Sequence, residues 1–189
     1  MTSPRSQLWI IRHGPTEWSR DHRHTSTTDL PLLPEAEHEA EALADRLTET
    51  RFGRVLTSPR LRARRTAELA GFPDAVVDDD LVEWRYGDYE GVTTQEIRER
   101  VPGWSVWTHP IPGGEAAEEV SERLDRVVAR AHEVDGAVLV FAHGHSLRAL
   151  AARWLGLPVS EGRLLRLDTT TVSVLGHERE NAVVLRWNS

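Results

Sequence analysis

Ala137-Val138-Leu139-Val140-Phe141 is a continuous apolar run that leads directly into Ala142-His143-Gly144-His145. Five apolar residues without a polar alternation read as a strand buried on both faces, the pattern of a central strand in a parallel sheet. The same wording occurs near the start of the chain, where Leu8-Trp9-Ile10-Ile11 stops at Arg12-His13-Gly14-Pro15. Ligands of open α/β sheets lie beyond the carboxyl ends of the strands. Two strands that each end in His-Gly are therefore expected to bring His13 and His143 to one edge, where glycine admits an anion close to the backbone and His and Arg supply donors.

Downstream, Ser146 to Leu155 reads as a helix, and Leu164 to Leu167, Thr171 to Leu175 and Ala182 to Trp187 read as strands, the last two forming a hairpin. Upstream, Pro34 to Thr50 has Ala36, Ala40, Leu43, Ala44 and Leu47 at helical spacing. Arg54 to Thr57 is a short strand, after which Ser58 serves as N-cap and Pro59 as the first residue of a helix ending near Gly71. Ala75 to Val77 is a third short strand, residues 81 to 91 an ordered loop, and Thr93 to Val101 and Glu115 to Val134 helices. The order is α/β, with no repeat or low-complexity linker, and residues 1–189 are expected to form one domain.

Composition excludes several functions. There is no cysteine, hence no disulfide framework, thiolate metal site or cysteine nucleophile, as suits a reducing cytoplasm. The stretch Met1 to Gln7 is polar and the apolar run after it is too short for a leader or a membrane span, so a cytoplasmic location is expected. A net charge of −7 disfavours nucleic acid and anionic membranes as partners, so any anion site must be local. All 23 basic residues are arginine, which reflects codon composition more simply than chemistry. Oligomeric state is left open, and a homo-oligomer is compatible with the sequence.

Further candidate residues stand in the sequence with no local pattern that chooses among them. Arg60, Arg62, Arg64 and Arg65 share a helix that begins at a strand end, and only some of them can face that edge. Glu83 sits among Trp84 and Tyr86, which could desolvate a carboxyl group and keep it protonated, but Asp88 and Glu90 are rivals. His22-Arg23-His24 and His143-Gly144-His145 have zinc-compatible spacing, although an anion pocket accounts for the second pair better. Of the seven tryptophans, Trp84, Trp104 and Trp107 are the candidates for a site entrance.

Five blocks taken together resemble the histidine phosphatase superfamily, also called phosphoglycerate-mutase-like. They are Arg12-His13-Gly14-Pro15-Thr16-Glu17-Trp18, Thr57-Ser58 with Arg62-Ala63 and Thr66, Leu81 and Glu83 with Gly87 and Glu90-Gly91, Gly113-Gly114-Glu115, and His143-Gly144-His145-Ser146-Leu147-Arg148. They stand in the family's order and span nearly the whole chain. The resemblance implies a three-layer α/β/α sandwich with a mostly parallel central sheet. It implies His13 as nucleophile, Arg12, Arg62 and His143 as the phosphate pocket, and Glu83 as general acid and base. Thr16, Ser19, Thr25, Ser26, Trp84, Tyr86, Gly144 and His145 follow as substrate-binding positions.

The function implied is hydrolysis of a small phosphate monoester, a sugar phosphate or similar, through a phosphohistidine, with no cofactor and no metal. The wording around Glu83 and His143 is similar to sugar-phosphate and bisphosphate phosphatases and to acid phosphatases. The alternatives are a 2,3-bisphosphoglycerate-dependent phosphoglycerate mutase and a non-catalytic phosphate sensor. Mutases carry Arg after the catalytic Glu and Lys beyond the glycine-rich stretch, where this chain has Trp84 and Thr94. A sensor would have lost the nucleophile or the acid, and both His13 and Glu83 are present. Ser19 and Ser26 depart from the Asn and Gly common in the family.

Overall fold

A computed structural model of the chain describes residues 6–189; of the polar stretch Met1 to Gln7, the first five residues lie outside it. The elements in chain order are β1 (Gln7–Arg12), α1 (Glu17–Arg20), α2 (Pro34–Glu41), α3 (Leu43–Leu47), β2 (Phe52–Thr57), α4 (Leu61–Leu69) and β3 (Val76–Val77). There follow α5 (Thr94–Arg100), α6 (Ala117–His132), β4 (Ala137–Ala142), α7 (Gly144–Trp154), β5 (Val172–Glu178) and β6 (Asn181–Arg186).

The six strands form one sheet in the order β3-β2-β4-β1-β5-β6. Strands β3, β2, β4 and β1 run parallel, and β5 and β6 add an antiparallel hairpin at one edge. Every residue of β4 is buried, as the unbroken apolar run predicts for a strand covered on both sides. Successive side chains of a strand point to opposite faces. Accordingly Val138, Val140 and Ala142 join Leu8 and Ile10 in one core with residues of α6 and α7. Leu139, Phe141 and Ile11 join Leu43, Leu47, Ala67 and Ala70 in a second core on the other face. Helices on both faces of a mostly parallel sheet make the three layers. Among the described residues no helix is long and apolar enough to cross a membrane.

Four local expectations need correction. The helix expected over Pro34 to Thr50 is two helices separated at Ala42, where the backbone stays right-handed and the buried stripe Ala36, Ala40, Leu43, Leu47 continues across the break. Ser58 is not a helix cap: α4 begins at Leu61 behind an extended Arg60, and the Ser58 hydroxyl is taken by His143. Helix α7 starts two residues earlier than Ser146, because an acidic side chain from another loop caps it, as described below. Leu164 to Leu167 is not a strand; a 3-10 turn spans Val159–Leu164 and the chain then runs irregularly. Strand β1 already has β4 and β5 on its two sides, which leaves no edge there for another strand.

Candidate active site

The parallel register pairs Arg12 with Ala142, so the next residue on each strand, His13 and His143, emerges at the same sheet edge, with ring centroids 5.2 Å apart. Strand β2 ends beside them: Thr57 pairs with Phe141, and Ser58 donates its N–H to the Phe141 carbonyl. Topology thus does what sequence distance obscures, gathering residues 13, 58 and 143 at three adjacent strand ends.

His13 is buried, and its Nδ1 lies 2.7 Å from the Gly14 carbonyl oxygen. A carbonyl only accepts, so Nδ1 carries the proton and Nε2 keeps its lone pair. Burial, reinforced by the charges of Arg62 and Arg12, pushes the His13 pKa well below the ordinary histidine value, so the ring is neutral. His143 is fully buried and its pKa is likewise pushed well down, first by burial and then by Arg62 and His13. Its Nε2 is 2.7 Å from the Ser58 hydroxyl, and its Nδ1 has no partner among the described residues.

Both arginines are pre-positioned by carbonyl groups. Arg12 Nη1 donates to the Leu167 carbonyl at 2.8 Å, and the absence of a side chain at Gly144 makes room for it: a Cβ there would stand 3.3 Å from the guanidinium carbon. Arg62 is fully buried on α4 and donates to the carbonyls of Thr25, Ser26 and Thr28. That loop is held in turn by Glu90, whose carboxylate accepts the N–H groups of Ser26 and Thr28 and the Ser26 hydroxyl. The Nε atoms of Arg12 and Arg62 are buried without a protein partner among the described residues. Orphaned buried donors of this kind are rare and point to a ligand. Thr66 links the loop after His13 to α4, accepting from Gly14 N–H and donating to the Arg62 carbonyl.

The three acidic candidates have separate places. Glu90 is the loop clamp just described. Asp88 lies against Gly113, away from the cleft lining. Glu83 is buried at the cleft, where its carboxylate accepts the N–H groups of Trp84, His145 and Ser146 at 2.9, 3.1 and 2.8 Å. The last two are the second and third N–H groups of α7, so Glu83 is a cap supplied from 62 and 63 residues away in sequence, at the helix end that favours negative charge.

A cleft of about 230 Å³ is lined by Arg12, His13, Ser19, Thr25, Glu83, Tyr86, Gly144 and His145 of the expected set, whereas Arg62 and His143 are fully buried and do not line it. Thr16 is buried as the cap of α1, its hydroxyl accepting Ser19 N–H, and it does not line the cleft. Ser26 supports rather than lines, and Trp84 turns into the core, its indole N–H donating to the Glu115 carbonyl. Trp104 is equally buried, and Trp107 packs under His145 and Arg148, so the tryptophans form the floor and core and not the entrance.

Residues outside the expected catalytic and substrate-binding set also line the cleft: His22, Arg23, His24, Thr94, Arg148 and Leu167. Arg148 had a signal, since it stands three residues after His145 on the same helical face. Leu167 contributes to the site through a carbonyl and had none. His24 spends Nδ1 on the Val92 carbonyl and stacks on His145, which itself bonds the Tyr86 hydroxyl at 2.6 Å. Among the described residues no three His, Asp or Glu side chains gather as a metal-holding group.

The profile of the histidine phosphatase superfamily (branch 1) matches residues 8–189. An acid phosphatase of Mycobacterium tuberculosis is 41% identical over 176 residues, covering 91% of this chain and 87% of that protein. Sedoheptulose 1,7-bisphosphatase of Saccharomyces cerevisiae is 38% identical over 185 residues, covering 80% of this chain and 68% of the yeast protein. The solved structure of the open reading frame Rv3214 from Mycobacterium tuberculosis superposes with a TM-score of 0.92 at 37% identity, covering 97% of each chain.

Proposed function

The chain belongs to the histidine phosphatase superfamily, branch 1, and on that premise we propose that it hydrolyses small phosphate monoesters, sugar phosphates among them, through a phosphohistidine on His13. The observation that carries the proposal is the state of His13: a neutral ring whose Nδ1–H is spent on Gly14 and whose Nε2 lone pair is free, in a cleft shared with Arg12 and Glu83.

In this reading Nε2 attacks phosphorus in line with the ester bond, and the N–P bond forms as the ester P–O bond breaks. Arg12 and Arg62, each fixed beforehand by carbonyl groups, bear the charge of the phosphoryl oxygens, and the unpartnered His143 Nδ1 is a further donor when the Ser58 hydroxyl donates its hydrogen bond to Nε2. Stabilisation by pre-positioned donors replaces the work a metal ion performs elsewhere. Glu83 gives a proton to the leaving alkoxide, then takes one from the water that cleaves phosphohistidine, so one carboxyl group serves both half-reactions. Its two oxygens face the N–H groups of Trp84, His145 and Ser146, which hold the carboxyl group at the cleft for both steps.

Hydrolysis is favoured over mutase chemistry because the two positions where mutases place cations offer none here. Trp84 is in the core and Thr94 is a neutral part of the cleft lining. Polar donors, the absence of cysteine and the small cleft fit a soluble metabolite met in the cytoplasm. The test compares phosphate release from a panel of sugar phosphates with isomerisation of 3-phosphoglycerate in the presence of 2,3-bisphosphoglycerate. Release dominates in the wild type and falls by at least about 10³-fold in His13→Ala; dominant isomerisation, or full activity in that variant, overturns the proposal.

A further inference from the structure

The Arg12 side chain has one hydrogen-bond partner among the described residues, the Leu167 carbonyl, and its Nε is buried without any. Whatever fixes that carbonyl therefore fixes the guanidinium. The Leu167 carbonyl and the Asp168 N–H belong to one peptide unit, which is planar and turns as a body. Arg12 Nη1 holds the oxygen end of this unit at 2.8 Å, and the side chain of Asn188 holds the other end, its Oδ1 accepting the Asp168 N–H at 2.7 Å. A turn of the peptide breaks both bonds at once. Hydrogen bonds in such a chain also polarise one another, so the Asn188 amide makes the Leu167 carbonyl a better acceptor for Arg12.

Asn188 follows β6 and is itself locked. Its backbone lies in the left-handed region at φ 53°, which asparagine tolerates better than most residues. Its N–H donates to the buried Ser173 hydroxyl at 2.8 Å, and Nδ2 donates to the Asp168 carboxylate at 2.9 Å. With Nδ2 on a carboxylate and Oδ1 on a backbone N–H, only one orientation of the amide satisfies both partners. The Thr171 hydroxyl closes the arrangement, 2.9 Å from the Asp168 carbonyl and 3.0 Å from Asn188 Oδ1. The same loop grips Arg12 a second time, Thr170 N–H donating to the Arg12 carbonyl at 3.0 Å. Thr170 does so at φ 56°, a conformation that strains a β-branched residue and is sustained by its surroundings. Neither Asp168 nor Asn188 lines the cleft.

We propose that Asn188 is a positioning residue for Arg12, acting through the Leu167–Asp168 peptide without touching the substrate. The proposal rests on the phosphatase reading for the role of Arg12 as a phosphoryl-binding group. A merely structural Asn188, tying the segment after β6 to the loop at Asp168, predicts a lower melting temperature and an unchanged anion affinity in the folded protein. A positioning role predicts a loss of affinity that depends on Arg12 being present.

Orthophosphate binding, measured by calorimetry at low salt beside the melting temperature, separates the two without turnover. Asn188→Ala weakens binding about tenfold, as expected when a binding group loses its alignment. In an Arg12→Ala background the same substitution changes affinity by about twofold or less, because residues that act through one another are not additive. Where Asn188→Ala folds poorly, a side-chain exchange decides. Asn188→Asp alone sets two carboxylates against each other and weakens binding. Adding Asp168→Asn again opposes one amide to one carboxylate, which keeps every bond of the pair, and affinity returns to within about threefold of wild type. An affinity unchanged by Asn188→Ala, an equal loss in the absence of Arg12, or an exchange that restores nothing overturns the assignment. Wild-type protein that releases phosphate from no ester, while these affinities behave as stated, overturns the phosphatase reading alone.

Discussion

His13, His143 and His145 are held neutral by burial, and this choice at single residues has a measurable thermodynamic consequence. Burial is the first cause in each case, with Arg62 adding to it at His13 and His143 and Arg148 at His145. The folded pKa values lie below the unfolded value of about 6.5. On acidification the unfolded chain therefore binds protons first, and stability present above pH 6.5 is lost as pH falls toward the folded values. The loss is at most about 1.4 kcal/mol per pH unit for each histidine. Urea unfolding is expected to give a lower midpoint at pH 5.5 than at pH 7.5, with a smaller drop in His145→Gln; an equal or higher midpoint at pH 5.5 contradicts the protonation states assigned to these rings. At the same scale, the choice between Glu83, Asp88 and Glu90 is a matter of partners. The side chain that clamps residues 26–28 and the one that meets α7 are both glutamates in one aromatic loop, and no local pattern distinguishes them.

The elements matter to the chemistry chiefly through their ends. Parallel β1 and β4 deliver the two histidines, β2 delivers Ser58, and the N-terminus of α7 receives Glu83. This last contact makes Glu83 both a cap and the candidate acid, and the two roles are separable by leaving group. Glu83→Gln keeps an acceptor for the helix N–H groups but has no proton to give. Its kcat is expected to fall about 10²–10³-fold for an alkyl phosphate and markedly less for p-nitrophenyl phosphate, whose leaving group needs little protonation. Equal losses on both, measured by steady-state phosphate release, contradict the acid role. The apolar runs made β1 and β4 legible, and the strand-to-helix order made the layers legible. Where the reading failed, at Ser58, at the start of α7 and at Leu164 to Leu167, the deciding partner was remote in sequence: His143, Glu83, and a β1 whose sides were already taken.

Over the whole molecule the net charge is −7, yet arginines outnumber carboxylates in the cleft lining, so the anion site is local. The family resemblance named the five residues His13, Arg12, Arg62, His143 and Glu83, and the fold brings them to one sheet edge. It did not distinguish side chains that line the cleft from those that brace it, because Thr16, Ser26 and Trp84 are near in sequence to lining residues yet spend their polar atoms inward. The central claim, covalent catalysis on His13, is tested most directly by rapid acid-free quenching of the enzyme during turnover of a ³²P-labelled sugar phosphate. Base-stable, acid-labile label is expected on the peptide bearing His13 and is absent from His13→Ala; turnover with no labelled protein at any time, or label on another residue, rules out covalent catalysis on His13.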